Sequence, residues 1–211
     1  MPICDSLPLP NALVYHFARL AFKLTGWHVE GELPDTPRYV IVSTHTSNWD
    51  FAFGILGMAI LSCGFQSIHI VWLGKQELFR GVMGAIFRRI GGIPIDRQHG
   101  HGVVEQAIAF LRSRPKLAML ITPQGTRKRR NYWKTGFYHI ALGAGVPILL
   151  GYIDYRRRAA GPGPLIVPSG DIEADMAIIR DFYQSVTPRY PWQAGDIRVR
   201  QKPDMERNDG E

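Results

Sequence analysis

The stretch Arg38-Tyr-Val-Ile-Val-Ser-Thr-His-Thr-Ser-Asn-Trp-Asp50 governs the reading of the whole chain. Residues 38–43 form a short apolar, β-branched run, the composition of a buried strand. From Asp50 to about Leu61 the residues are apolar and read as a helix. A polar turn carrying His45 joins the two. Strand, turn and helix in that order are the building unit of an α/β domain, and ligands in such domains gather at the carboxyl ends of strands.

The same alternation continues in both directions. Residues 68–73 and 92–95 predict strands, with a helix over 81–90 between them. Val103, Val104, Ala107, Ile108 and Leu111 recur at helical spacing. Residues 117–121 are a continuous apolar run that Pro123 ends, followed by a helix over 136–144 and a buried strand over 146–153. A short strand is predicted at 165–167. Asp171 is a helix N-cap, with Glu173 and Asp175 complementing the first turn. Ile172, Met176, Ile179, Tyr183 and Val186 give that helix an apolar face, and Pro188 stops it. The fold class predicted is a single α/β domain with a central, largely parallel β-sheet flanked by helices.

An amphipathic helix precedes it. Asn11 is its expected cap and Gly26 its end, with Leu13, Phe17, Leu20, Ala21 and Leu24 forming the apolar stripe. Two roles fit that stripe: packing on the domain's own core, or lying on a bilayer. The expected division is an N-terminal helix at 1–26, the main domain at 27–200 and a polar tail at 201–211.

The 211 residues are 45% hydrophobic and 20% charged, with a net charge of +7. That composition is globular rather than disordered, and the charge favours an anionic partner. The start has no basic segment leading into an apolar one, so no secretory signal is expected. Cys4 and Cys63 show no metal-ligand spacing and imply no disulfide framework. A reduced, cytoplasmic setting with Cys63 as an inert core thiol is the expectation. Residues 51–73 and 136–153 lack Lys, Arg, Asp and Glu, but polar residues or Gly and Pro interrupt both, against a membrane span.

Three segments carry chemistry. In the first, four residues separate His45 from Asp50 on a turn that can bring the carboxylate back to one imidazole nitrogen, leaving the other to take a proton from a hydroxyl. The bland alternative makes Asp50 a helix cap and His45 a hydrogen-bonded loop residue. The second segment, Gly91-Gly-Ile-Pro-Ile-Asp-Arg97, is by itself a tight turn and an arginine. In the third, Thr122-Pro-Gln-Gly-Thr-Arg127 follows a buried strand and runs into Lys128, Arg129 and Arg130. Such a loop offers backbone N–H groups and a guanidinium to a phosphate, but it lacks P-loop spacing. Arg129 and Arg130 read as solvated. No nucleic-acid motif accompanies the basic cluster, so nucleic acid is not an expected partner. No Gly-x-Ser-x-Gly elbow is present, and His99 and His101 lack further metal ligands.

Taken together and in order, these segments resemble the glycerolipid acyltransferase family, whose best-known members are the 1-acylglycerol-3-phosphate acyltransferases. His45 and Asp50 match its His-x4-Asp block, and Gly92 to Arg97 its second block. Pro123, Gly125, Thr126 and Arg127 match Pro-Glu-Gly-Thr-Arg, and Val146-Pro147-Ile148 the fourth block. Lys75, Glu77 and Leu78 resemble the segment between the first two, so the likeness covers roughly residues 40–154. Gln124 stands where the family usually has Glu, keeping hydrogen-bonding capacity and losing the charge.

The resemblance implies transfer of a fatty acyl group from acyl-CoA or acyl-carrier protein to a lysolipid hydroxyl, 1-acylglycerol-3-phosphate first among acceptors. It implies His45 as general base oriented by Asp50, and an acceptor site built from Arg97, Gln124, Gly125, Thr126 and Arg127. Trp49, Phe51 and Phe53 are candidates for an acyl channel or for core packing. No metal or other cofactor is called for. The expected place is the cytoplasmic face of an anionic membrane surface, held peripherally. The alternatives are an acyltransferase for an aminolipid or glycolipid acceptor, and a lipid-binding protein without catalysis.

Overall fold

The computed structural model describes residues 9–63, 68–95, 102–126 and 128–201. Among the described residues, seven strands form one sheet: β1 (His28–Val29), β2 (Arg38–Val42), β3 (Ile70–Lys75), β4 (Gly92–Ile95), β5 (Leu117–Ile121), β6 (Ile148–Asp154) and β7 (Ala159–Ile166). The helices are α1 (Leu9–Thr25), α2 (Asn48–Leu61), α3 (Gly81–Arg89), α4 (Val103–Arg112), α5 (Gly136–Ala144) and α6 (Ile172–Gln184).

The strand order is β1-β7-β6-β2-β5-β3-β4. Strand β2 sits in the middle, parallel to both neighbours, with Val40 opposite Met119 of β5 and Ile148 of β6. Its side chains alternate across the sheet, as successive residues of a strand must. Val40 and Val42 pack under α4, α5 and α6, while Tyr39 and Ile41 face the layer that contains α2. Burial on both faces is why this strand is apolar without interruption. Tyr183 of α6 is buried and its hydroxyl reaches the carbonyls of Val42 and Gly151 at 2.9 and 2.8 Å. It therefore ties the end of β2 to the middle of β6 just below the candidate site.

The largely parallel sheet is as expected, with one addition. β7 runs antiparallel to β6, and β1 pairs with its start. The sequence reading expected only residues 165–167 there and missed β1. Two glycines and two prolines disguise β7. They are tolerated because β1 covers only Ala159 and Ala160, leaving the rest of that strand as an edge where a missing N–H breaks no ladder.

Helix α1 begins at Leu9, not after an Asn11 cap. The face it buries is Tyr15, Ala18 and Phe22, packed toward α2. The predicted stripe lies on the other side: Leu13, Phe17, Leu20 and Leu24 are 63%, 66%, 54% and 77% exposed. The helix thus has two apolar faces, one used by the core and one turned to solvent. Among the described residues no helix is long and apolar enough to cross a membrane. Cys63, expected as a free thiol, is disulfide-bonded. The only other cysteine in the chain, Cys4, lies outside the described residues.

Candidate active site

The site begins where β2 ends. Residues 43–47 turn the chain through the carboxyl edge of the sheet and into α2. Ser47, not Asp50, is the N-cap: its backbone is extended and its Oγ accepts from the Trp49 N–H at 3.2 Å. Asp50 closes the reciprocal half of a capping box, its Oδ2 accepting from the N–H groups of Ser47 at 2.8 Å and Thr46 at 2.6 Å. The carboxylate is 7% exposed. His45 Nδ1 lies 3.6 Å from the same Oδ2, with the imidazole 23% exposed. That separation is an ion-pair distance, beyond a hydrogen bond, and a modest closure brings it into range. The two readings of Asp50 therefore merge, because one carboxylate both builds the helix start and faces the imidazole.

The second oxygen of Asp50 has a partner that the sequence reading missed. The Tyr155 hydroxyl donates to Asp50 Oδ1 at 2.7 Å. Burial first, and then the Asp50 carboxylate, push that phenol well above its ordinary range, so it stays a donor. Tyr155 sits edge-on to Trp27, which stacks on Phe53 with centroids 4.1 Å apart. Phe53 thus belongs to the core, and Phe51 packs against Trp72 and Phe87. Arg189 lies over the rings of Trp49, Tyr155 and Tyr190. Tyr155 directly follows β6, a strand parallel to β2. Its position past a strand's carboxyl end was the signal that would have found it. Arg189 and Tyr190 carry no such local signal.

The third segment follows β5, the neighbour of β2, and so comes to the same edge of the sheet. Gly125 has φ of +67°, a conformation that favours glycine, and its N–H bonds back to the Thr122 carbonyl at 3.0 Å. Thr126 opens onto a cleft of about 680 Å³. The cleft's walls are the N-terminal turn of α2 with Trp49, the loop with Lys128 and Arg129, and Tyr190 with Gln193. Arg129, read as merely solvated, lines this cleft and pairs with Asp196 at 3.1 Å. Gln124 was expected to meet the acceptor. It is instead buried, its amide engaged by the backbone of Lys128, Gln193 and Gly195. Arg127 lies outside the described residues, as does Arg97. β4, which leads to Arg97, is three strands from β2, about 14 Å at ordinary strand spacing.

A mostly parallel α/β sheet carrying a His–Asp pair at its carboxyl edge is the arrangement found here. A family model for acyltransferases matches residues 27–150. The chain belongs to the acyltransferase family. The 1-acyl-sn-glycerol-3-phosphate acyltransferase of Escherichia coli (strain K12) is 29% identical over 144 residues, covering 63% of this chain and 55% of that protein. The enzyme of the same name from Haemophilus influenzae is 30% identical over 144 residues, covering 63% and 56%. The matched region thus spans only about half the length of these relatives. The crystal structure of the 1-acyl-sn-glycerophosphate (LPA) acyltransferase PlsC from Thermotoga maritima covers 82% of this chain and 76% of its own, with a TM-score of 0.55 and 20% identity. That likeness is one of fold.

Proposed function

We propose that this protein is a lysolipid O-acyltransferase. It moves a fatty acyl group from acyl-CoA or acyl-carrier protein to the free hydroxyl of a lysophospholipid. The acceptor is 1-acylglycerol-3-phosphate and the product phosphatidic acid. The supporting observation is the His45–Asp50 pair: the carboxylate is fixed by two backbone N–H groups and a tyrosine, and residues 46–49 between the pair line a cleft with Lys128 and Arg129 on its wall. With Nδ1 turned to Asp50, the other imidazole nitrogen accepts the proton of the acceptor hydroxyl. The oxygen attacks the thioester carbonyl, and the tetrahedral intermediate collapses with loss of the thiolate. The imidazolium then returns its proton to that thiolate. Asp50 stabilises the transient cation, and the scheme needs neither a metal nor another cofactor.

Thr126, Lys128 and Arg129, with Arg127 and Arg97 as further candidates, suit the anionic headgroup. Peripheral attachment to an anionic membrane at its cytoplasmic face completes the reading. The exposed face of α1, with Lys23 in its last turn, supports it. The test is to offer the purified protein labelled acyl-CoA and acyl-carrier protein with a panel of lysolipids. Lysophosphatidic acid is the expected acceptor, with transfer lost in His45→Ala. Labelling of an aminolipid or glycolipid alone would replace the acceptor, and no transfer from either donor would leave a binding protein.

A further inference from the structure

Residues 188–200, beyond α6, stay on the domain. They cross the carboxyl edge of the sheet and lie along the loop that follows β5. Tyr190 N–H donates to Thr46 Oγ1 at 3.4 Å, at the entrance to α2. Asp196 N–H donates to the Arg130 carbonyl at 2.9 Å, and Trp133 N–H to the Arg198 carbonyl at 3.0 Å. Tyr190 and Gln193 of this segment line the same cleft as Lys128 and Arg129.

Gln124 sits at the junction, 2% exposed. Its Nε2 donates to the carbonyls of Lys128 at 2.6 Å and Gln193 at 3.0 Å, and its Oε1 accepts from Gly195 N–H at 3.2 Å. Two donors and one acceptor are all engaged, one set on the loop and the other on the crossing segment. A primary amide supplies that set, whereas an ionised carboxylate of the same length has no donor. Gly195 independently records how closely the two pieces approach: a Cβ there would lie 2.7 Å from the Arg130 carbonyl oxygen.

We propose that residues 188–200 form a fixed wall of the acceptor headgroup site, and that Gln124 is the positioning residue that sets it. The proposal rests on the lysolipid acyltransferase reading above. The wall contributes Tyr190 and Gln193 to the cleft that Lys128 and Arg129 also line, a set of residues suited to a phosphorylated polyol headgroup. Small displacements of such a wall weaken acceptor recognition without moving Asp50, which is held by its own bonds to Thr46, Ser47 and Tyr155.

Two variants test it. Gln124→Glu turns a carboxylate on two carbonyl oxygens, and Gly195→Ala forces the segment off the loop while leaving Gln124 intact. In each folded variant the KM for lysophosphatidic acid rises about tenfold, the consequence of roughly one lost hydrogen-bonding arrangement, with kcat and the thioester KM little changed. Trypsin cuts faster at Arg198 and Arg200, and calorimetric binding of lysophosphatidic acid weakens in parallel. An unaltered acceptor KM with parent-like trypsin resistance in both variants overturns the proposal. So does a fall in kcat together with equal rises in both KM values, which marks a purely structural bond. If the parent acylates no lysolipid, the functional reading fails. The proteolysis and binding arms then still decide whether Gln124 sets a wall that a phosphorylated lipid feels.

Discussion

The Tyr155 hydroxyl donates to Oδ1 of Asp50 at 2.7 Å, while Oδ2 of the same carboxylate faces His45 and accepts two backbone N–H groups. The group that would steady an imidazolium is thus held on both oxygens by elements far apart in sequence. Tyr155→Phe removes one of those bonds and nothing else of the ring. The expected cost is about 1 kcal/mol in stability and a fall of roughly tenfold in kcat. Thermal melts and single-turnover rates measure the two effects separately. An unaltered rate would show that the backbone amides suffice to orient Asp50.

His45→Ala is expected to keep the fold and lose about 10²–10⁴-fold in transfer, the usual worth of a general base. Asp50→Asn behaves differently, because the carboxylate also builds the start of α2. It loses transfer and in addition about 1 kcal/mol of stability, as a broken cap does. Circular dichroism melts of the two variants distinguish them. A parent-like melt for Asp50→Asn would mean that the box contributes little to α2.

The two faces of α1 give opposite outcomes. Phe22 packs edge-on against Trp27 and Phe53 in the core, so Phe22→Ala costs about 3–5 kcal/mol. Replacing Leu13, Phe17, Leu20 and Leu24 by Ser leaves the melting temperature nearly unchanged but weakens sedimentation with anionic liposomes. Retained sedimentation would assign membrane contact to another surface.

Glu30 supplies a pH test at the β1 edge. Hydrogen bonds from Tyr152, then His28, with Arg157 alongside, hold its carboxyl below the ordinary carboxylate range. A folded-state pKa below the unfolded one contributes stability above the unfolded value and loses it as pH falls through the folded value. Stability should therefore decline in mild acid, and Glu30→Gln should flatten that part of the profile. Urea titrations across that range measure it; identical slopes would remove Glu30 from the acid response.

How much of this was legible follows from where the information lies. β4, β5 and α5 match their predicted limits because an apolar run or a glycine and proline boundary defines each locally. The His45–Asp50 pair was legible for the same reason, being one turn of one loop. Tyr155 was marked only by its place just past a predicted strand, whereas Arg189 and Gln193 reach the site through the path after α6, which no local pattern encodes. Gln124 was legible as a departure but not as a buried staple, since the groups it binds at 193 and 195 are far along the chain. The stripe on α1 was legible but its role was not, because helical spacing alone does not say which of two apolar faces meets the core; Leu13, Phe17, Leu20 and Leu24 are the face turned to solvent.

The central place of β2 bears on how the protein is made. Its hydrogen-bonding partners, β5 and β6, are synthesised long after it: Val40 waits for Met119 on one side and Ile148 on the other. A ribosome that has delivered the His45 turn and α2 has delivered a strand with two open edges. Such non-local pairing is slow, and the unpaired apolar strand is exposed to misassembly meanwhile. A nascent chain ending before residue 148 has no second neighbour for the strand that carries the histidine. Translational pausing in the first half would prolong that vulnerable interval, and chaperone capture should be densest there.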